Sequence, residues 1–269
     1  MLKMLYEKIL SMDHHFTSLR TNQQIMKISN PHEYPAFKEV KVLLGERMKK
    51  KHGFTLPAVM ESNPFLSAAF SIVGLALGGG EGKLRQDQID AISCILDFTV
   101  RMHQDLSIIW YETEYLRDGN LTLKRECEHL FAECARQVEY AIPLGICRET
   151  DDWERLYNLL EAAVGKAGET PPPAISQKIL VNLQFSIDRV VHFIENYSAF
   201  VAQGSEYYKK FAKITASYEN EKACSGSLPE TFTQLKNDID ITLEKFNSAY
   251  KLPEIQGSRL KDLLYGTVE

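Results

Sequence analysis

The sequence predicts an all-α protein: an elongated antiparallel helical bundle with long coiled-coil-like helices and no sheet. Three observations carry that expectation. The ten prolines leave long proline-free runs at 1–30, 65–142, 174–228 and 230–252, and proline is kept out of helix interiors because it lacks an N–H and clashes with the preceding turn. Within the runs, apolar side chains recur at alternating steps of three and four, which holds one seam toward a partner helix. No run shows the two-residue alternation bounded by turn pairs that marks a sheet.

The first run carries Leu2, Leu5, Ile9, Met12, Phe16 and Leu19 on one seam, and the pattern reaches Met26 past the polar Gln23. Next comes a helix containing Val40, Leu44 and Met48. The basic run Arg47-Met-Lys-Lys-Lys-His52 closes it, where positive charge complements the C-terminal dipole, and Gly53 follows as a stop. Asn63-Pro64 then starts a new helix, with Asn as N-cap and Pro as first helical residue.

Residues 64–77 are apolar on every face, through Phe65, Leu66, Phe70, Ile72, Val73, Leu75 and Leu77, and include Gly74-x-x-x-Gly78. Such a helix is either central in a bundle or in contact with lipid. Its length is roughly 21 Å, against a hydrocarbon core of ~30 Å. The expectation is a buried central helix. The alternative is a conditionally exposed segment, 64–80, that engages a membrane or partner, a layout that soluble helical pore-forming toxins use, by analogy of arrangement only.

Gly78 to Gly82 end that segment. A helix is expected from about Lys83 to Arg117, a turn at Asp118-Gly119-Asn120, and another helix from Leu121 to Ile142 with Leu123, Cys127, Leu130, Cys134 and Val138 on one face. Asp151 and Asp152 precede a short helix with Trp153, Leu156, Leu159, Leu160 and Ala163. Gly165 to Pro173 is the clearest linker. The chain therefore reads as an N-terminal helical region, 1–164, a Gly/Pro-rich linker or crossover, 165–174, and a C-terminal long-helix hairpin, 175–269. The two helical regions are either separate domains or one bundle.

The helix expected from about Ile175 to Tyr218 has the longest seam: Leu180, Leu183, Ile187, Val190, Ile194, Tyr197, Val201, Gly204, Tyr208, Phe211, Thr215 and Tyr218. Gly204 is the place for a kink or break. Val191, Phe193 and Phe200 widen the stripe, which suits a multi-helix bundle. The last run repeats the pattern through Leu228, Phe232, Leu235, Ile239, Thr242, Phe246 and Ala249. The candidate interaction seam is Leu180, Leu183, Ile187, Val190, Ile194, Tyr197, Val201, Tyr208 and Phe211. Left open, it would drive homo-oligomerisation or hold another helical protein.

Chemistry is harder to find. The chain has 269 residues, 44% of them hydrophobic and 25% charged, with a net charge of −5. That balance fits a globular protein and argues against a nucleic-acid partner. The phosphate-loop pattern needs a Gly five residues before the Gly-Lys and a Ser or Thr after it, and here Leu77 and Leu84 stand in those places. Glu126-x-x-His129 is a single pair, whereas carboxylate-bridged di-iron bundles use two plus further glutamates. His14, His15, His32, His52 and His103 lack zinc spacing, and neither His-Glu-x-x-His nor Gly-x-Ser-x-Gly occurs. No catalytic residue, cofactor site or metal site is assigned.

The five cysteines form no Cys-x-x-Cys pair. Cys127 and Cys134 would lie about 10 Å apart along a helix, beyond the roughly 7 Å a disulfide spans. Cys94, Cys127 and Cys134, among apolar neighbours, read as buried free thiols, which favours a reducing, cytoplasmic setting. Lys3, Glu7 and Lys8 interrupt what would be the apolar region of a signal peptide, although a leader already removed would leave no trace. The leading expectation is a non-enzymatic interaction or scaffolding protein. The alternatives are a membrane-engaging protein and a small-molecule-binding bundle with Tyr111, Tyr115, His103 and Trp110 lining a cleft.

Overall fold

The computed structural model describes residues 1–34, 86–167, 174–221 and 228–252. Among the described residues every regular element is helical. In chain order they are α1 (Leu2–Ser18), α2 (Thr21–Ile28), a 3₁₀ turn (Pro31–Glu33), α3 (Gln86–Arg136), α4 (Leu144–Glu149), α5 (Trp153–Ala167), α6 (Ala174–Asn220) and α7 (Glu230–Asn247). The all-α expectation is met. The chain divides into two compact units. The first comprises Met1–Ser18, Tyr115–Glu206 and Glu244–Glu269, and the second Leu19–Glu114 and Tyr207–Leu243.

In the first unit, α1 buries Leu5, Ile9, Met12 and Phe16, α3 buries Leu123, Cys127 and Leu130, and α6 buries Val190, Ile194, Tyr197 and Val201. Each such side chain contributes about 1.5–3 kcal/mol on leaving water. Polar groups at the margin fix the geometry. The Tyr6 hydroxyl donates to Glu128 at 2.9 Å, Arg148 forks onto Glu7, and the Tyr197 hydroxyl donates to the Tyr250 carbonyl at 2.8 Å. Lys8 reaches the Ala249 carbonyl. Asn120 is fully buried and its amide nitrogen donates to the Ile9 carbonyl at 3.1 Å.

The second unit closes on aromatic edges. Phe98 of α3 meets the Tyr34 ring at 6.2 Å and the Tyr218 ring at 5.7 Å, both near perpendicular, the arrangement that the ring quadrupole favours. Met102, Leu106 and Ile109 of α3, Tyr208 and Phe211 of α6, and Phe232, Leu235 and Ile239 of α7 complete the core. Gln24 donates to Asp238 at 2.7 Å, and Arg101 to Glu221 at 2.7 Å.

Several expectations need correction. The first run is not one helix: it breaks at Leu19–Arg20, and α2 buries Ile25 and Ile28 while Met26 is exposed. The turn expected at Asp118-Gly119-Asn120 is helical, so α3 is continuous over 51 residues. Gly119 serves close packing there: a Cβ would come within 2.8 Å of the Phe200 ring. Gly204 likewise does not break α6 into two helices. It makes room for Phe246, three ring atoms of which lie within 2.7 Å of where a Cβ would stand. Finally, α3 ends at Arg136 rather than Ile142.

That early end has a local cause. Glu139 takes the left-handed conformation, φ 58°, and the Tyr140 N–H folds back to the Ala135 carbonyl at 3.0 Å. The end of α4 repeats the device, with Asp151 at φ 51° and the Asp152 N–H on the Cys147 carbonyl at 3.0 Å. Both closures use the bond pattern that normally places glycine in the left-handed position. Replacing Glu139 or Asp151 with Gly removes the Cβ penalty, offset by extra unfolded-chain freedom. Each variant is expected to gain about 0.5–1 kcal/mol, readable as a small rise in urea midpoint. A fall at both sites would show that the carboxylates, not the backbone, govern these ends.

Candidate interaction surface

Helix α3 carries two rows of apolar side chains. The inner one, Ile95, Phe98, Met102, Leu106 and Ile109, is buried. At 100° per residue, Ile108 points about 200° away from Leu106, and it heads a second row on the outer side. Its apolar members are Val100, Ile108 and Tyr111, with the polar Gln104 between the first two. Val100 is 39% exposed, Ile108 38% and Tyr111 63%, and Gln104 is exposed with them. The steps of four, four and three keep them on one stripe about 17 Å long. The Trp110 ring, 4.6 Å from that of Tyr111, braces the tyrosine.

Single exposed apolar residues are ordinary, whereas several aligned on one helix face are informative. Elsewhere in the described residues the exposed apolar groups are sparser. Val181 and Phe185 make an exposed doublet on α6, and Tyr157 stands out on α5. Neither extends over three turns as the α3 row does.

The charge around the row is one-sided. Between residues 90 and 114, α3 carries Asp90, Asp97, Asp105, Glu112 and Glu114 against the single guanidinium of Arg101. That guanidinium is held by Asp97 at 2.9 Å and Glu221 at 2.7 Å. Glu112 accepts from Lys210 at 3.0 Å, and Asp105 accepts from the Tyr218 hydroxyl. Asp97, Asp105 and Glu112 are thus each engaged by a partner within the second unit.

The other expected site residues fall elsewhere. Val190, Ile194, Tyr197, Val201, Tyr208 and Phe211 of the expected seam are buried within the chain. The side chains of Leu180, Leu183 and Ile187 lie outside the described residues. So do the apolar segment 64–80, with Phe65, Leu66, Phe70, Ile72, Val73, Leu75 and Leu77, the glycine loop after it, and the basic run 47–52. Among the described residues, no helix is long and apolar enough to cross a membrane.

Of the aromatic set Tyr111, Tyr115, His103 and Trp110, the two tyrosines are exposed, while His103 meets the Ser29 hydroxyl at 3.0 Å. His129 stands 3.6 Å from Glu133 on the surface, and no group of three or more His, Cys, Asp or Glu among the described residues is placed to hold a metal ion. His15 is buried, with Nδ1 2.8 Å from the Lys245 ammonium.

The cysteines bring another correction. Cys94 is not a free thiol but is disulfide-bonded, a pairing that spacing along the chain does not reveal. Cys127, Cys134 and Cys147 are free, and Cys224 lies outside the described residues. Burial pushes the Cys127 thiol up to about 12 and raises that of Cys134 as well, so both stay protonated and poorly nucleophilic. With five cysteines in the chain and Cys94 disulfide-bonded, a thiol titration of the denatured protein is expected to read fewer than five before reduction and five after. A count of five without reductant would break the Cys94 assignment.

One concavity of about 630 Å³ lies in the first unit, where the end of α3 meets α4. Its walls include Glu128, Arg136, Glu139, Tyr140, Leu144 and Ile146. The chain matches no family model, no curated protein and no solved structure.

Proposed function

We propose that the chain is a non-enzymatic helical interaction protein that holds a partner against the outer row of α3. The observation that carries this reading is the exposure of Val100, Ile108 and Tyr111 at helical spacing. Their burial by a partner would remove apolar surface from water at about 25 cal/mol per Å², and tyrosine is enriched at such contacts. The described members of the α6 seam lie in the chain's own core, so the outer row is the better candidate.

A photo-crosslinking residue at position 111 is expected to trap a discrete protein adduct in cells. The same residue at Ala199, exposed on α6, serves as the control. Equal yields at both positions, or none at 111, would remove the row as a contact site.

A second reading, a small-molecule-binding bundle, draws support from the concavity between α3 and α4, whose volume is in the range of ligand sites. Ala132 also lines it, and filling it by Ala132→Leu is then expected to abolish ligand-induced thermal shifts in a compound screen. Shifts unchanged by that substitution would exclude the pocket.

A further inference from the structure

Resting on the second reading, a ligand in the concavity where α3 meets α4, we infer that this ligand is an apolar organic cation, an ammonium group on a hydrocarbon body. The site is assembled from α1, α3 and α4 of the first unit. Glu128, Ala132 and Arg136 of α3 all line the concavity, and their spacing of four puts them on one stripe of the helix. Ala132, a small residue between two long ones, leaves room above it. Ile142, Pro143, Leu144 and Ile146 supply the apolar lining. Ile146 is 48% exposed, so a hydrocarbon body seated there removes apolar surface from water.

Glu128 selects the charge. It is half-buried, and the Tyr6 hydroxyl of α1 donates to its Oε1 at 2.9 Å. That bond positions the carboxylate without cancelling its charge. Burial first, and then the bond itself, push the Tyr6 phenol up to about 12, so it stays a neutral donor at ordinary pH. Oε2 of Glu128 takes no bond from the described residues. Gly145 of α4 lines the same concavity, and a Cβ there would stand 3.8 Å from the Tyr6 hydroxyl, so the carboxylate and the apolar lining meet at one corner.

The neighbouring cations are placed elsewhere. Arg148 is forked onto Glu7, and Arg136 is exposed and about 12 Å farther along α3. A ligand that covers the apolar lining also takes water from Glu128. A neutral body would leave Oε2 desolvated and unpaired, a loss that an ammonium avoids through a charge-assisted hydrogen bond. A carboxylate ligand would add repulsion to that loss.

The test titrates the full chain with n-octylammonium, octan-1-ol and octanoate below their aggregation limits, followed by ligand-observed NMR. Octylammonium is expected to bind at least roughly tenfold more tightly than the other two. Glu128→Gln, which keeps an acceptor for Tyr6, is expected to weaken octylammonium roughly tenfold and to leave octanol and the melting behaviour little changed. Ala132→Leu is expected to weaken octylammonium and octanol together.

Octanol binding as tightly as octylammonium, or octanoate binding better, with the binding lost in Ala132→Leu, would overturn the cation and leave the concavity standing as a ligand site. So would a preference for octylammonium that survives Glu128→Gln. No binding of any probe, or binding untouched by Ala132→Leu, would overturn the second reading and the cation with it. The probe series on the unmutated protein decides the charge even if Glu128→Gln fails to fold.

Discussion

Gly204→Ala is expected to destabilise the protein by about 1–2 kcal/mol, against the usual direction of such a change. In an unobstructed helix the substitution gains about 1 kcal/mol, because alanine is the best helix former. Here the added methyl would stand within 2.7 Å of three atoms of the Phe246 ring. That ring is fully buried and lies between Phe16, 6.1 Å away, and Tyr250, 5.3 Å away. Overpacking of this kind costs typically 1–3 kcal/mol and sometimes more, so the clash outweighs the propensity gain. Urea unfolding would measure it. Phe246→Leu combined with Gly204→Ala should recover part of the loss, since residues in contact are not additive. Gly119→Ala is the control. Its methyl meets Phe200, which is only partly buried and can swing aside. A stable Gly204→Ala variant would mean that α6 and α7 are free to separate at this point.

The second large effect is alkaline unfolding. Burial raises the phenols of Tyr34, Tyr197 and Tyr218 well above their usual value and pushes that of Tyr250 up to about 12. For Tyr6, also near 12, burial acts first, and the hydrogen bond to Glu128 adds to it. For Tyr140, burial again leads, and bonds to Cys147 and Asp152 reinforce it. In each case the folded state keeps a proton that the unfolded chain loses above pH 10. The stabilisation is therefore full below pH 10 and is lost as pH rises toward and through the folded values.

Cys127 acts in the same direction from pH 9, the ordinary value of its thiol. A single buried phenol shifted as far as that of Tyr250 accounts for about 3 kcal/mol by pH 12. Several together are expected to unfold the protein between pH 10 and pH 12, with phenolate absorbance and loss of ellipticity rising in one transition. Six of the twelve tyrosines should ionise only in that transition. Complete phenol ionisation near pH 10 with the helices intact would contradict the packing described.

The long seams were legible in the sequence because helical burial depends on local periodicity. Val190 to Phe211 and Phe232 to Phe246 are buried where the three-and-four spacing puts them. What escaped notice was decided by distant partners. Gly119 looks like a turn because its neighbours are Asp and Asn, yet Phe200 and the Ile9 carbonyl hold that stretch helical. Gly204 looks like a weak point, yet a ring from α7 requires it. Leu19 and Met26 extend the first seam on paper, while the chain breaks and buries Ile25 and Ile28 instead.

The outer row of α3 was hidden for a related reason. Its residues interleave with the inner row, so the segment reads as a single broad apolar stripe until a structure separates the two faces. The left-handed Glu139 and Asp151 carry no glycine to announce them. The disulfide at Cys94 has no local signature at all.

The first unit joins residues that the ribosome makes far apart in time. The ammonium of Lys8 rests on the carbonyl of Ala249, 241 positions later, and Tyr197 waits for the carbonyl of Tyr250. Leu5, Ile9, Met12 and Phe16 emerge early, whereas Phe246 and Tyr250, which share their unit, are among the last described residues to be synthesised. Contacts of such long sequence separation are slow to form. Until they do, the apolar face of α1 is a nascent surface without its final cover, and chaperone dependence during translation follows from the order in which the chain is made.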